Sequence, residues 1–169
     1  FTGAGAGSVT ISDQIQGLKG FRTDLIVFAK NSIHKLVEIN TPANTRIDPI
    51  AENVGCLSGY SIQEIGGDLV FLAPDGIRTV AGTARIGDTE LSSISRQIQN
   101  IISSIATNIS SYVIDSAVLR SKSQYRLFYS AATDSPGSGK GVIGTFTGQA
   151  FEWSEVEGIQ AFGLSSTID

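Results

Sequence analysis

The sequence predicts a mainly β fold: antiparallel meanders resembling part of a β-propeller, with one amphipathic α-helix inserted over residues 88–109. Three observations predict it. From Val9 onward, apolar residues alternate or cluster in short runs separated by turn residues, which is the pattern of strands. Asp24 to Leu36 (DLIVFAKNSIHKL) and Asp68 to Val80 (DLVFLAPDGIRTV) repeat each other at an offset of 44 residues. After Asp88 the apolar spacing changes to threes and fours, the helical period.

Phe1 to Ser8 (FTGAGAGS) is small and flexible, a tether or a strand edge. Each copy of the repeat then has the form of a β-hairpin. Leu25–Ala29 and Leu69–Ala73 are near-continuous apolar strands, suited to burial on both faces. Lys30-Asn31-Ser32 and Pro74-Asp75-Gly76 supply turns, through preset φ, local Asx bonding and tolerance of positive φ. A further strand precedes each hairpin, Gly17–Phe21 and Ser61–Ile65, joined by Arg22-Thr23 and Gly66-Gly67. A third meander pairs Ser111–Arg120 with Gln124–Ala131 across Ser121-Lys122-Ser123, then continues after a polar loop, Thr133–Gly141, into Val142–Phe146 and Ala150–Val156. Ile159–Leu164 has the composition to begin another unit. The blade-like meanders thus fall at about 9–39, 46–82 and 111–157 within one β-rich unit, 1–169. A meander recurring every ~40–50 residues is the signature of propeller blades.

Between the second and third meanders, Leu91, Ile94, Ile98, Ile101, Ile102, Ile105 and Ile109 form one apolar stripe. Asp88 is the expected N-cap, and Glu90 suits the positive end of the helix dipole. Such a helix covers its own sheet, or it docks a neighbouring subunit. In the second case Leu91, Ile94, Ile98, Ile101 and Ile105 are the expected assembly contacts, with Lys140 of the polar loop beside them.

Composition narrows the function. The net charge is −4, with 12 Lys and Arg scattered among 16 acids, so nucleic acid is not expected as the main partner. No apolar run approaches the ~18–20 residues of a membrane helix, so no membrane insertion is expected. Cys56 is the single cysteine, which leaves neither an intrachain disulfide nor a cysteine metal cluster. The chain has no methionine and starts at Phe1. About three blades remain once the helix is set aside, and closed propellers have at least four. Together these lead us to expect a segment of a larger polypeptide.

Motifs that carry chemistry are weak here. Gly137-Ser138-Gly139-Lys140-Gly141 lacks the early glycine and the Ser or Thr of a phosphate loop, and lies between two strands. His34 falls where the second repeat has Arg78, which reads as a solvated face, not a catalytic base. Cys56, in Val54-Gly55-Cys56-Leu57, reads as a small buried hydrophobe. Asp24 and Asp68 recur at the head of each hairpin, as architecture does. No catalytic residue, cofactor or metal ligand is expected, and the chain does not read as an enzyme. Asn108-Ile109-Ser110 is a formal glycosylation sequon, but Ile109 belongs to the helix stripe.

Val54 to Arg85 (VGCLSGYSIQEIGGDLVFLAPDGIRTVAGTAR) and Arg120 to Tyr129 (RSKSQYRLFY) resemble segments of tail structural proteins of tailed bacteriophages, including nozzle-type tail tubular proteins with β-propeller domains. The resemblance implies a virion component of the tail, neck or baseplate, contacting other virion proteins and copies of itself. It carries over no catalytic residue. The alternative is a carbohydrate-binding or glycan-hydrolysing propeller at a cell surface. Trp153, flanked by Glu152, Glu155 and Glu157 and aided by Tyr125 and Tyr129, would be its sugar platform.

Overall fold

A computed structural model describes residues 8–41, 43–81, 94–148 and 150–166. Eleven strands are placed among them, all paired antiparallel in three meanders. The first sheet holds β1 (Ile15–Phe21), β2 (Asp24–Ala29), β3 (Ile33–Val37) and β4 (Arg46–Ala51), in chain order. The second holds β5 (Gln63–Ile65), β6 (Asp68–Ala73) and β7 (Gly76–Thr79). The third holds β8 (Tyr112–Leu119), β9 (Gln124–Ala131), β10 (Lys140–Phe146) and β11 (Phe151–Glu157). Between the second and third lies α1 (Gln99–Thr107). Among the described residues the chain is mainly β, with antiparallel sheets and the short helix α1, as its patterning predicts.

Local chemistry sets the tight turns. Gly66 and Gly67 both take positive φ (61° and 76°) between β5 and β6, the backbone that a two-residue hairpin turn requires. Asp68 Oδ1 accepts the N–H of Leu69 and, from beyond β7, that of Ala81, so this carboxylate holds the head of the hairpin.

The sheets stack in chain order, and β6 shows why. Its alternate residues enter different cores. Leu69, Phe71 and Ala73 join Ile26, Phe28 and Ile33 of the first sheet, and the Phe28 and Phe71 rings sit 5.2 Å apart. Val70 and Leu72 join Tyr125, Leu127 and Val142 of the third. The second sheet is therefore covered on both faces, which explains the continuous apolar run DLVFLA. Side chains near the leading strands tie the stack together. Ser116 Oγ donates to the carbonyl of Tyr60 (2.6 Å), and Gln63 Nε2 donates to that of Ser116 (2.9 Å).

Four expectations change. Arg46–Ala51 is the fourth strand of the first sheet, not the start of the second meander, because Val37 through Ile33 pair with it antiparallel, with a bulge between Ile33 and His34. Strand β5 begins at Gln63, since Gly59–Ser61 form a 3-10 turn capped by Ser58. Ile159–Leu164 forms no strand: it crosses the third sheet, with the Leu164 N–H donating to Asp115 Oδ2 at 2.7 Å.

The helix is also shorter than 88–109. Asp88, Glu90 and Leu91 lie outside the described residues. Within them, Ile94 and Ser95 are not helical, because they are bonded to strand β7. The Ile94 N–H donates to the Ile77 carbonyl (2.9 Å), and Ser95 Oγ accepts the Ile77 N–H (2.8 Å). Among the described residues, that contact lies where a fourth strand would pair with β7. From Arg96 the chain coils, through a 3-10 turn at Arg96–Ile98 into α1, and Ile109 falls in a separate turn after Asn108.

Candidate functional site

Among the described residues, the outward face of the first sheet carries a cluster of exposed apolar side chains. Register places Leu18, Val27 and His34 in one cross-strand row, and Leu25, Leu36 and Ile47 in the next. Residues 8–11 cross this face, so that Val9 and Ile11 join Ile15, Leu18 and Ile39 around a groove of about 430 Å³. Leu18 remains 57% exposed and Ile15 53%, far more than core residues of the same type. Sequence reasoning did not find this surface. Its signal lies in cross-strand register, which an alternating pattern alone does not fix.

Beside the groove lies a polar cluster. Asp13 accepts the Asn31 N–H (2.8 Å), the Gln14 N–H (2.8 Å) and the Ser32 hydroxyl (3.0 Å). The Asn31 N–H, foremost among these bonds, holds its carboxyl below the usual aspartate range. His34 Nε2 lies 3.0 Å from Ser32 Oγ. The Ser32 proton points at Asp13, so the imidazole is the donor in that contact. A nucleophile–base pair needs the opposite polarity. The cluster locks the β2–β3 turn to the N-terminal segment.

The equivalent place in the second repeat behaves differently. Arg78 is fully buried, not on a solvated face, and its guanidinium forms a two-point pair with Asp75, with Nε to Oδ1 at 2.9 Å. An arginine can enter the core there because the turn residue three positions earlier supplies a carboxylate, where the first repeat has Asn31. Cys56 is buried, as its apolar context predicts. Its Sγ lies 3.1 Å from the Ser58 carbonyl, and burial pushes its thiol up to about 11.

The expected assembly residues turn inward. Ile98 and Ile105 are buried in the core between the second and third sheets, and Ile94 and Ile101 pack against it. The stripe therefore covers its own sheets. Leu91 lies outside the described residues. Lys140 is exposed and pairs with Glu157 at 3.3 Å across neighbouring strands.

Trp153 shares a face with Glu155 and Glu157, as strand alternation requires, and Glu152 points away. Its indole N–H donates to the Ile94 carbonyl (2.8 Å), its ring stacks on Phe151, and Tyr125 meets it edge-on. The ring thus braces the helix approach against the third sheet. Among the described residues no group of three or more His, Cys, Asp and Glu could hold a metal ion, and no helix is long and apolar enough to cross a membrane.

A scan of models of known protein families finds none that matches the chain, and no curated protein matches it.

Proposed function

We propose that the chain is a structural component of a bacteriophage tail or related virion assembly, a scaffold that makes subunit contacts and catalyses nothing. Its partners are other virion structural proteins and copies of itself, at the tail, neck or baseplate. One observation carries this reading: the side chains with chemical potential are engaged in holding hairpins, sheets and the helix approach in place. Arg78 is tied to Asp75, Tyr125 to Ser61, Trp153 to Ile94, and Asp68 to the backbone at both ends of its hairpin. The stretches that resemble tail proteins, Val54–Arg85 and Arg120–Tyr129, include strands β5 to β7 and most of β9; β6 enters both cores, and β9 lines the one between the second and third sheets.

Immunogold electron microscopy tests it, using antibodies to the purified chain on particles from the source culture. Label is expected on the tail, neck or baseplate. Particles that carry no label there overturn the reading. The glycan-binding alternative gains no support from Trp153, whose ring stacks on Phe151 and whose indole N–H is bonded within the protein.

A further inference from the structure

The 44-residue repeat says what should cover the outward face of the first sheet. Leu25 and Val27 of β2 correspond to Leu69 and Phe71 of β6, and Ile26 and Phe28 correspond to Val70 and Leu72. In the second sheet, Leu69 and Phe71 face backwards along the chain, onto the first sheet, while Val70 and Leu72 face forwards onto the third. In the first sheet, Ile26 and Phe28 likewise face forwards, onto the second. Leu25 and Val27 therefore form a backward-looking face, the repeat equivalent of one that a sheet already covers. Its natural occupant is the forward-looking face of another meander.

Two of the three forward-looking faces are already in use, those of the first and second sheets. Among the described residues the remaining one belongs to the third sheet. There Asp115, Phe128, Gly141 and Val156 form a row on the side away from the second sheet. The segment after β11 lies over that row, fixed by the bond from Leu164 to Asp115 and by another from the Gly158 N–H to the Gly139 carbonyl (2.9 Å). This segment carries Ile159 and Phe162, 45% and 61% exposed. Apart from Tyr60, the large exposed apolar side chains among the described residues thus lie at the ends of the stack: Val9, Ile15, Leu18 and Ile39 at one, Ile159 and Phe162 at the other.

We propose that copies of this chain associate head to tail, the outward face of the first sheet in one copy meeting the third-sheet end of the next around Phe162. The contact would stand where the repeat places a sheet, with the segment that carries Ile159 and Phe162 lying between the two sheets. Such a contact is heterologous, so it closes into a ring or extends as a filament. The inference goes beyond the virion reading, because it would hold for these three sheets in any setting.

Sedimentation velocity on the purified chain over a concentration series tests it, together with Leu18→Glu and Phe162→Glu. Both side chains are more than half exposed, and circular dichroism with thermal melting checks that each variant keeps its fold. Wild type is expected to self-associate, and each variant to do so about tenfold more weakly or worse. Each variant retains one intact end, so an equimolar mixture is expected to form a one-to-one dimer and nothing longer. If either variant does not fold, Leu18→Ser and Phe162→Ser take their places. A wild type that stays monomeric throughout overturns the proposal. So does a wild-type assembly that Phe162→Glu leaves intact, or a mixture of variants that does not pair.

Discussion

The Tyr125 hydroxyl donates to the backbone carbonyl of Ser61 across 2.8 Å, joining strand β9 of the third sheet to the turn that precedes β5 of the second. The tyrosine has no exposed surface, and Ser61 is equally buried. Removing the hydroxyl therefore leaves a buried carbonyl without this donor and creates no route for water to replace it. Tyr125→Phe is expected to lower stability by about 1–3 kcal/mol, read from urea unfolding. A loss near zero would mean that the bond is not maintained in solution.

Arg78 and Asp75 make a sharper test. The guanidinium is wholly buried and the carboxylate about one-third exposed, 34%. Asp75→Ala leaves a charge in the core without its two-point partner, and about 3 kcal/mol or more of stability should be lost. Arg78→Met replaces charge with apolar volume and should cost distinctly less. Equal losses in chemical denaturation would show that the arginine acts by size, not by charge.

The contrast between these two sites marks what the sequence could convey. Apolar runs and turn residues located the two repeated hairpins, β2–β3 and β6–β7, closely, because period-two patterning and turn chemistry are local. The buried arginine was not legible. His34 and Arg78 look alike as polar letters after an isoleucine, and their difference depends on whether a carboxylate sits three residues earlier. The helix was over-extended for a similar reason. The isoleucine stripe runs on through Ile94, but Ile94 and Ser95 are held by Ile77, a partner in another element. The open face of the first sheet was also hidden, since register decides which residues stand side by side.

Close backbone approach gives a prediction free of charge effects. A Cβ on Gly55 would lie 2.2 Å from the Lys30 carbonyl oxygen and 2.5 Å from the Asn31 nitrogen, atoms of a turn held by Asp13. Backbone must move to admit it, so Gly55→Ala should lower stability by roughly 1–3 kcal/mol or more. Gly20, in β1, has nothing within 4 Å of its Cβ position, and Gly20→Ala should change stability little. Thermal melts of the two variants side by side would check this, and similar melting temperatures would contradict the packing of Gly55.

The inward turn of the helix makes a prediction about assembly. Ile102 and Ile105 have no exposed surface, so truncation opens a cavity between the second and third sheets. Ile105→Ala is expected to cost about 2–5 kcal/mol in unfolding experiments. At temperatures where the variant remains folded, its self-association should match wild type. Lost association without lost stability would return the stripe to a docking role.

Stability should also fall at alkaline pH through Cys56. Burial is the main cause of its raised thiol pKa, about 11 in the folded protein against 9.0 for an unperturbed thiol. Below pH 9 the thiol is protonated in both states and favours neither. Between pH 9 and 11 the unfolded chain ionises while the folded chain does not, so stability falls as pH rises. Two units correspond to about 3 kcal/mol over the whole window. The Tyr125 phenol, also raised by burial, adds a loss in the same direction from about pH 10. Urea unfolding of wild type and Cys56→Ala between pH 8 and 10 separates the two, because only the thiol titrates at the lower end. The variant is expected to be less stable near neutrality, but its stability should be flatter across that interval. Parallel pH profiles would show that the thiol is accessible to water in the folded protein.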